Sequence, residues 1–220
     1  MSKGSEKRKE ETREKIVNAA CELFSKHGYH NTQVMDIVKA VGMSAGTFYN
    51  HYKDKRDIFE QITMEGLESL RVKVKLLRDP IDIWNPEARS KTLLETFNAV
   101  FDYIDNNPQQ LLMILRGSFG VDTDMDVSVW TYFQGFAKDA GEDLERWINE
   151  GVIEGIDPTL FGTAAIGMSL QLVHIYLMEK KYKREEIIAN LIIMILAMFE
   201  AYLTDEGRKA LKTIGTSSPG

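Results

Sequence analysis

Apolar side chains in this chain recur at steps of three and four residues, the spacing that lines one face of an α-helix, and no stretch alternates apolar with polar as a half-buried strand would. The first such stripe, Ile16, Ala20, Leu23 and Phe24, predicts a helix over Glu10–His27, ended by Gly28 in a left-handed conformation. Val34, Ile37, Val38 and Val41 predict a second, with Thr32 as its cap and Gly42 as its stop. A third begins at once: Ser44 is placed to accept a hydrogen bond from a first-turn N–H, and Ala45 and Gly46 leave that turn almost bare. Helix, short glycine-containing turn, helix is the helix-turn-helix pattern, whose second helix lies in a DNA major groove.

A fourth helix starts at Asp54, with Asp57 in its first turn, and aligns Ile58, Phe59, Ile62, Gly66, Leu70, Val74 and Leu77 before Asp79-Pro80 stops it. Residues 80–86 then read as a turn-rich crossing containing Trp84. Leu93, Leu94, Phe97, Val100, Phe101 and Ile104 form the next stripe, and Leu111–Leu115 a short apolar helix. Gly117–Asp126, rich in glycine and aspartate, reads as a mobile break before the helix Val127–Asn149. Pro158 suits the first position of the nearly all-apolar helix Leu160–Met178, and Arg184–Leu203 is the last long one. Residues 205–213 add a short helix, and Thr216–Gly220 a frayed tail. The expected fold class is all-α. A three-helix helix-turn-helix DNA-binding domain (residues 1–56) precedes a helical ligand-binding and dimerisation domain (residues 57–220).

Leu191–Phe199 runs nine residues without a polar one, about half of the ~20 that span a bilayer, so it reads as a core or interface segment. A helix apolar nearly all round needs burial on most of its circumference, and one thin protomer supplies only one side. The two last long helices of each chain are therefore expected to form a four-helix homodimer core, with no membrane contact.

Composition changes this picture in one respect. The net charge is −6, yet residues 1–56 carry eleven Lys and Arg against seven Asp and Glu, a net of +4, leaving −10 for residues 57–220. A basic end on an acidic body fits a protein that presents one face to phosphate. The basic lead-in Lys7–Lys9 is diluted by Glu6, Glu10 and Glu11 and reads as a solvated terminus rather than an arm on DNA. A single cysteine, Cys21, inside an apolar stripe, reads as a packed thiol in a reducing compartment.

With these features in hand, the initial helix, the T-x-x-x-x-I of Thr32–Ile37, the run AVGMSAGTFYNHYKDK at Ala40–Lys55 and the helical body resemble the tetracycline-repressor (TetR) family of transcriptional regulators. The resemblance implies a ligand-responsive, DNA-binding regulator in the cytoplasm: a repressor released from a palindromic operator by a small, largely apolar or aromatic molecule. It further implies that Thr32, Gln33, Ala45, Gly46, Thr47, Tyr49, Asn50, His51 and Lys55 face the DNA, with Ser44 beside them at the cap. Thr47 and Asn50 can reach base edges or phosphates, while Tyr49 and His51 can donate to phosphate. Phe48 points inward, and Tyr52 follows the apolar face.

In the body, Phe97, Phe101, Met113, Trp130, Phe133, Phe136, Phe161 and Met168 are candidates to line an adaptable apolar cavity. His174 is either a ligand contact or a histidine of the subunit interface. The helix from Lys55 to Leu77 is the expected mechanical link between cavity and reading head.

An enzyme is not expected: the chain has no glycine-rich phosphate loop after a strand, no G-x-S-x-G and no C-x-x-C. Neither a metal nor a cofactor is expected. His27 and His30 lack further ligands at metal-site spacing, and Asp122, Asp124 and Asp126 lack the glycine and closing glutamate of a calcium loop. The alternative is a helical small-molecule carrier or dimeric interaction module that does not bind DNA.

Overall fold

The computed structural model describes residues 3–78, 85–117 and 119–214. The expected crossing with Trp84 and the tail from Thr216 lie outside them. Ten helices are described: α1 (Lys3–His27), α2 (Val34–Val41), α3 (Ala45–Tyr49), α4 (Lys55–Arg78), α5 (Pro86–Asn106), α6 (Pro108–Gly117), α7 (Thr123–Asn149), α8 (Pro158–Glu179), α9 (Arg184–Glu200) and α10 (Asp205–Ile214). Among the described residues the only β-type pairing is one antiparallel bridge between Ile153 and Leu203. The fold class is all-α.

The chain forms two compact units, and neither is a single segment. The first gathers residues 1–69 with 106–130, so it is larger than the expected 1–56. The reason lies in α6: Leu111, Met113 and Ile114 are buried, and this helix packs against α1. Phe24, Phe48, Phe59, Ile16, Ile37 and Ile62 complete the core of this unit, each contributing about 1.5–3 kcal/mol by burial. Phe24 and Phe59 meet edge to face with centroids 5.0 Å apart. Gly66 admits the Gln110 amide, whose Nε2 donates to the Ile62 carbonyl at 3.0 Å; a Cβ at Gly66 would stand 2.6 Å from that nitrogen.

The expected mobile break between α6 and α7 is shorter and tied down. Asp122 accepts from the Met125 N–H at 2.9 Å and so starts α7 at Thr123, inside the predicted break. The Gly120 N–H donates to Asp126 at 2.7 Å, and the Arg56 guanidinium donates to both Asp122 oxygens, at 2.6 and 3.2 Å. His30 Nε2 lies 3.0 Å from the Gly120 carbonyl oxygen. Of the aspartates that imitated a calcium loop, Asp122 is thus a helix cap and arginine partner, and Asp126 holds the Gly120 N–H. Among the described residues no group of three or more His, Cys, Asp or Glu converges as a metal site would require.

The second unit gathers residues 70–105 with 131–220. Asp157 caps α8 by accepting from Leu160 N–H at 3.0 Å, with Pro158 at the first position as its fixed φ allows. α8 lies on α7 because two glycines permit it: a Cβ at Gly162 would fall 2.1 Å from the Ala137 carbonyl oxygen, and one at Gly141 would fall 2.9 Å from that of Pro158. Leu144, Trp147, Val152, Ile153, Phe161, Ala165 and Phe199 form the core there. Arg184, at the start of α9, is fixed to α5 through Asp102 at 2.7 Å and the Asn98 carbonyl at 2.8 Å.

Both α8 and α9 leave apolar surface uncovered. Leu160 is 70% exposed and Ile193 64% exposed. Thr163, Ala164 and Gly167 continue the open stripe on α8, as Ala189 and Ala197 do on α9. α8 is long and apolar enough to cross a membrane by length and composition, and only 28% of its most apolar window is buried within the chain.

Candidate nucleic-acid interface

Gly42, at φ +73°, turns the chain between α2 and α3, its N–H returning to the Lys39 carbonyl and that of Met43 to Val38. Ser44 then caps α3: its Oγ accepts from the Thr47 N–H at 3.2 Å and lies 3.0 Å from Thr47 Oγ1. A Cβ at Gly46 would meet nothing nearer than Ser44 Oγ at 3.8 Å, so the first turn of α3 is open to a partner.

Phe48 sets the direction of the short helix. It is fully buried, while its neighbour Tyr49 is 56% exposed and meets the Phe48 ring edge-on at 5.4 Å. With Phe48 locked inward, Ser44, Gly46, Tyr49 and Asn50 lie exposed, and Ala45, Thr47 and His51 half-buried. Burial, and then the charges of Lys9 and Arg13, hold the His51 imidazole below its ordinary pKa, so it stands mainly neutral at pH 7. Tyr52 is a core residue, and burial raises its phenol.

Two of the residues assigned to the DNA face are engaged elsewhere. Thr32 neither caps α2 nor reaches the surface: it is 1% exposed, and its hydroxyl donates to the Gly28 carbonyl at 2.9 Å. Gln33 takes the cap position, its N–H donating to Asp36 at 2.9 Å, and remains exposed. The Lys55 ammonium donates to the Tyr29 carbonyl at 2.8 Å and lies 4.1 Å above the Tyr29 ring, with its pKa lowered by burial. The Lys55 charge is thus directed to a carbonyl and a ring inside the unit. Sequence reasoning missed Tyr29 and Arg56; nothing in their local pattern signals partners 26 and 66 residues away.

The candidate cavity residues divide between the two units. Met113 and Trp130 belong to the first unit, where Met113 is fully buried and Trp130 is exposed, its ring 5.5 Å from that of Phe119. In the second unit Phe97, Phe101, Phe133, Phe136 and Phe161 are buried, and Met168 and His174 are half-buried on α8. Phe101 packs edge-on to Tyr176 at 5.0 Å, and Phe161 belongs to the core around Trp147. A cavity of about 620 Å³ in this unit takes only Phe136 from the expected set. Its other walls include Val74, Lys75, Asp139, Arg146 and Ile166, a mixed lining rather than an apolar one. Asp139 is already bound there by Arg71 at 2.7 and 2.9 Å.

An exposed, capped short helix behind a glycine turn, carried on an all-helical chain, defines a helix-turn-helix protein. Residues 16–62 match the family model described as bacterial regulatory proteins, tetR family. The HTH-type transcriptional regulator AcrR of Shigella flexneri is 33% identical over 88 residues, which cover 38% of this chain and 41% of that protein. The HTH-type transcriptional regulator UidR of Escherichia coli K12 is 34% identical over 71 residues, 32% of this chain and 35% of that protein. The match thus spans less than half the length of these curated relatives, which are named as regulators and not as enzymes. The solved structure of SmeT, the repressor of the Stenotrophomonas maltophilia multidrug efflux pump SmeDEF, superposes with a TM-score of 0.66 at 19% identity, covering 88% of this chain and 91% of that one. At that identity the likeness establishes the fold.

Proposed function

We propose that the chain is a ligand-responsive transcriptional regulator that binds a palindromic DNA operator as a homodimer in the cytoplasm and leaves it when a small molecule binds the body. The observation that carries this reading is the outward face of α3, where Phe48 anchors the helix and Ser44, Gly46, Thr47, Tyr49, Asn50 and His51 remain accessible around an open first turn. With short side chains at its leading edge, the helix fits closely against backbone and groove, so DNA shape contributes to specificity alongside base contacts.

The uncovered stripes on α8 and α9 support the homodimer. Small residues on α8 allow a second copy close approach, and Leu160 and Ile193 supply apolar area. The same surface accounts for α8's membrane-like composition without a bilayer. Two copies would hold their α3 helices about 34–36 Å apart to enter successive major grooves. A relative of the same fold, SmeT, has been solved as a complex with triclosan. A small apolar or aromatic ligand is the corresponding reading for this body, with α4 as the link to the reading head. By linkage, operator and ligand must weaken each other by the same factor, ~5- to 150-fold for ordinary couplings.

The test is selection of bound duplexes from a random pool, followed by a screen for molecules that release them. Enrichment of a two-fold symmetric site whose affinity falls steeply with salt supports the reading. A chain that takes up small molecules yet enriches no duplex is a carrier, and the regulator reading fails.

A further inference from the structure

The cavity of about 620 Å³ lies wholly within the second unit, and its size suits a drug-sized molecule. Val74, Phe136 and Ile166 give it an apolar wall. Its charged lining is one-sided: Asp139, Glu142, Asp143, Glu145 and Glu150 stand against Lys75 and Arg146, five carboxylates to two cations, a net of −3. Arg71, which binds Asp139 without lining the cavity, brings the balance to −2. A cleft lined by one sign of charge concentrates the opposite sign.

These carboxylates are not equivalent. Glu142, Glu145 and Glu150 are exposed, and Asp143 is held at 2.6 Å by Arg146 on its own helix. Asp139 differs in two respects. Its side chain is only 9% exposed, and the partners that reach it come from α4. Arg71 crosses Gly135, where a Cβ would stand 2.8 Å from the guanidinium, and donates to both Asp139 oxygens at 2.7 and 2.9 Å. Lys75, one turn further along α4, reaches the same carboxylate only at 4.0 Å, with 62% of its side chain exposed. A long, solvated pair of this kind contributes little. Arg71 is therefore a fixed partner of Asp139, and Lys75 is a cation that a better placed one displaces at small cost.

We propose that this cavity takes an amphiphilic organic cation, whose apolar part lies against Val74, Phe136 and Ile166 and whose charge replaces Lys75 at Asp139. This rests on the ligand-responsive reading above and narrows it to apolar or aromatic molecules that carry a positive charge. A bare metal ion does not fit: among the described residues no group of three or more His, Cys, Asp or Glu converges. Displacement of Lys75 removes one tie between α7 and α4, the helix that continues from the second unit into the first.

The experiment is a calorimetric titration of the wild-type chain, Lys75→Gln and Lys91→Gln with two pairs of probes matched in shape and opposite in charge. The pairs are tetraphenylphosphonium with tetraphenylborate, and octyltrimethylammonium with octanesulfonate. Lys91 is exposed, pairs with Glu95 at 3.8 Å and lies outside the cavity, so it controls for net charge. At least one cation should bind at least about tenfold more tightly than its anionic twin. Lys75→Gln should tighten that cation by about two- to fivefold, the measure of one exposed pair, while Lys91→Gln keeps the wild-type affinity and both variants melt with the wild type. The proposal is overturned if the wild type binds neither cation, if the anions bind as tightly, or if Lys75→Gln shows no gain beyond that of Lys91→Gln. Release of a selected duplex by the same probes is read separately. Cations that bind as expected but release no duplex keep the site and remove the ligand-responsive reading. Duplex released by an anionic probe, with no cation bound, keeps that reading and removes the charge assignment.

Discussion

Replacing Thr32 by valine separates a structural role from a DNA contact at the start of the helix-turn-helix. The substitution preserves shape and removes one donor. That hydroxyl lies 2.9 Å from the Gly28 carbonyl oxygen and 3.4 Å from that of Leu23, in a side chain 1% exposed. The Gly28 carbonyl lies just past the end of α1 at His27, where the helix supplies no N–H partner. A net hydrogen bond contributes about 0.5–1.5 kcal/mol, and an acceptor left buried without one costs about 1–3 kcal/mol. Thr32→Val should therefore lose about 1–3 kcal/mol, which lowers the melting temperature by roughly 2–4 °C per kcal/mol for a chain of this size. Thr32→Ser keeps the hydroxyl and gives up only a methyl, about 0.8 kcal/mol. Thermal unfolding of the three proteins measures the difference, and duplex affinity at two salt concentrations, taken well below melting, measures the DNA side. The salt slope should stay at its wild-type value in both variants. A Thr32→Val protein that melts normally but loses duplex affinity would refute the reasoning and restore Thr32 to the DNA face.

Tyr49→Phe keeps the ring against Phe48 and removes the exposed hydroxyl; affinity for selected and random duplexes should fall together by roughly fivefold, one hydrogen bond of about 1 kcal/mol, in a titration at fixed salt. Gly162→Ala forces a methyl toward the Ala137 carbonyl oxygen and should destabilise the second unit by about 1–3 kcal/mol in urea unfolding, with an unchanged midpoint as the contrary result. Burial raises the Cys21 thiol from 9.0 to about 12, so native protein at pH 8 should resist a thiol reagent that labels the urea-unfolded chain at once. The same shift has a definite sign: the folded state prefers the protonated thiol, so its contribution to stability is complete below about pH 9 and is lost as pH rises towards 12. Cys21→Ala should flatten that alkaline loss.

Local pattern carried the geometry of the turn and α3 because their residues act through near neighbours. Ser44 and Thr47 are three residues apart, Gly42 needs only its own φ, and Phe48 reports the buried side of a helix five residues long. The side-chain partners of Thr32 and Lys55 were hidden for the opposite reason. As a sequence pattern, a threonine before a helix and a lysine at a helix start suit phosphate, yet each side chain bonds a backbone carbonyl in the turn just after α1. Gly28 lies four residues from Thr32, but only the folded turn shows that its oxygen faces the hydroxyl. Tyr29 lies 26 residues from Lys55.

The sequence by itself determined the all-α class, the order of the helices, the glycine turn and the inward and outward sides of α3, since helical period, caps and positive-φ glycines are local properties of the backbone. The family resemblance seen in those same residues is borne out by the tetR-family match. Tertiary structure alone decided which segments share a core. It joined α6 and the first turns of α7 to the helix-turn-helix, pinned the aspartate-rich connection with Arg56, and divided the candidate cavity residues between two units. Such partnerships depend on which apolar stripes find each other in space, and a stripe carries its own direction but not the identity of its partner.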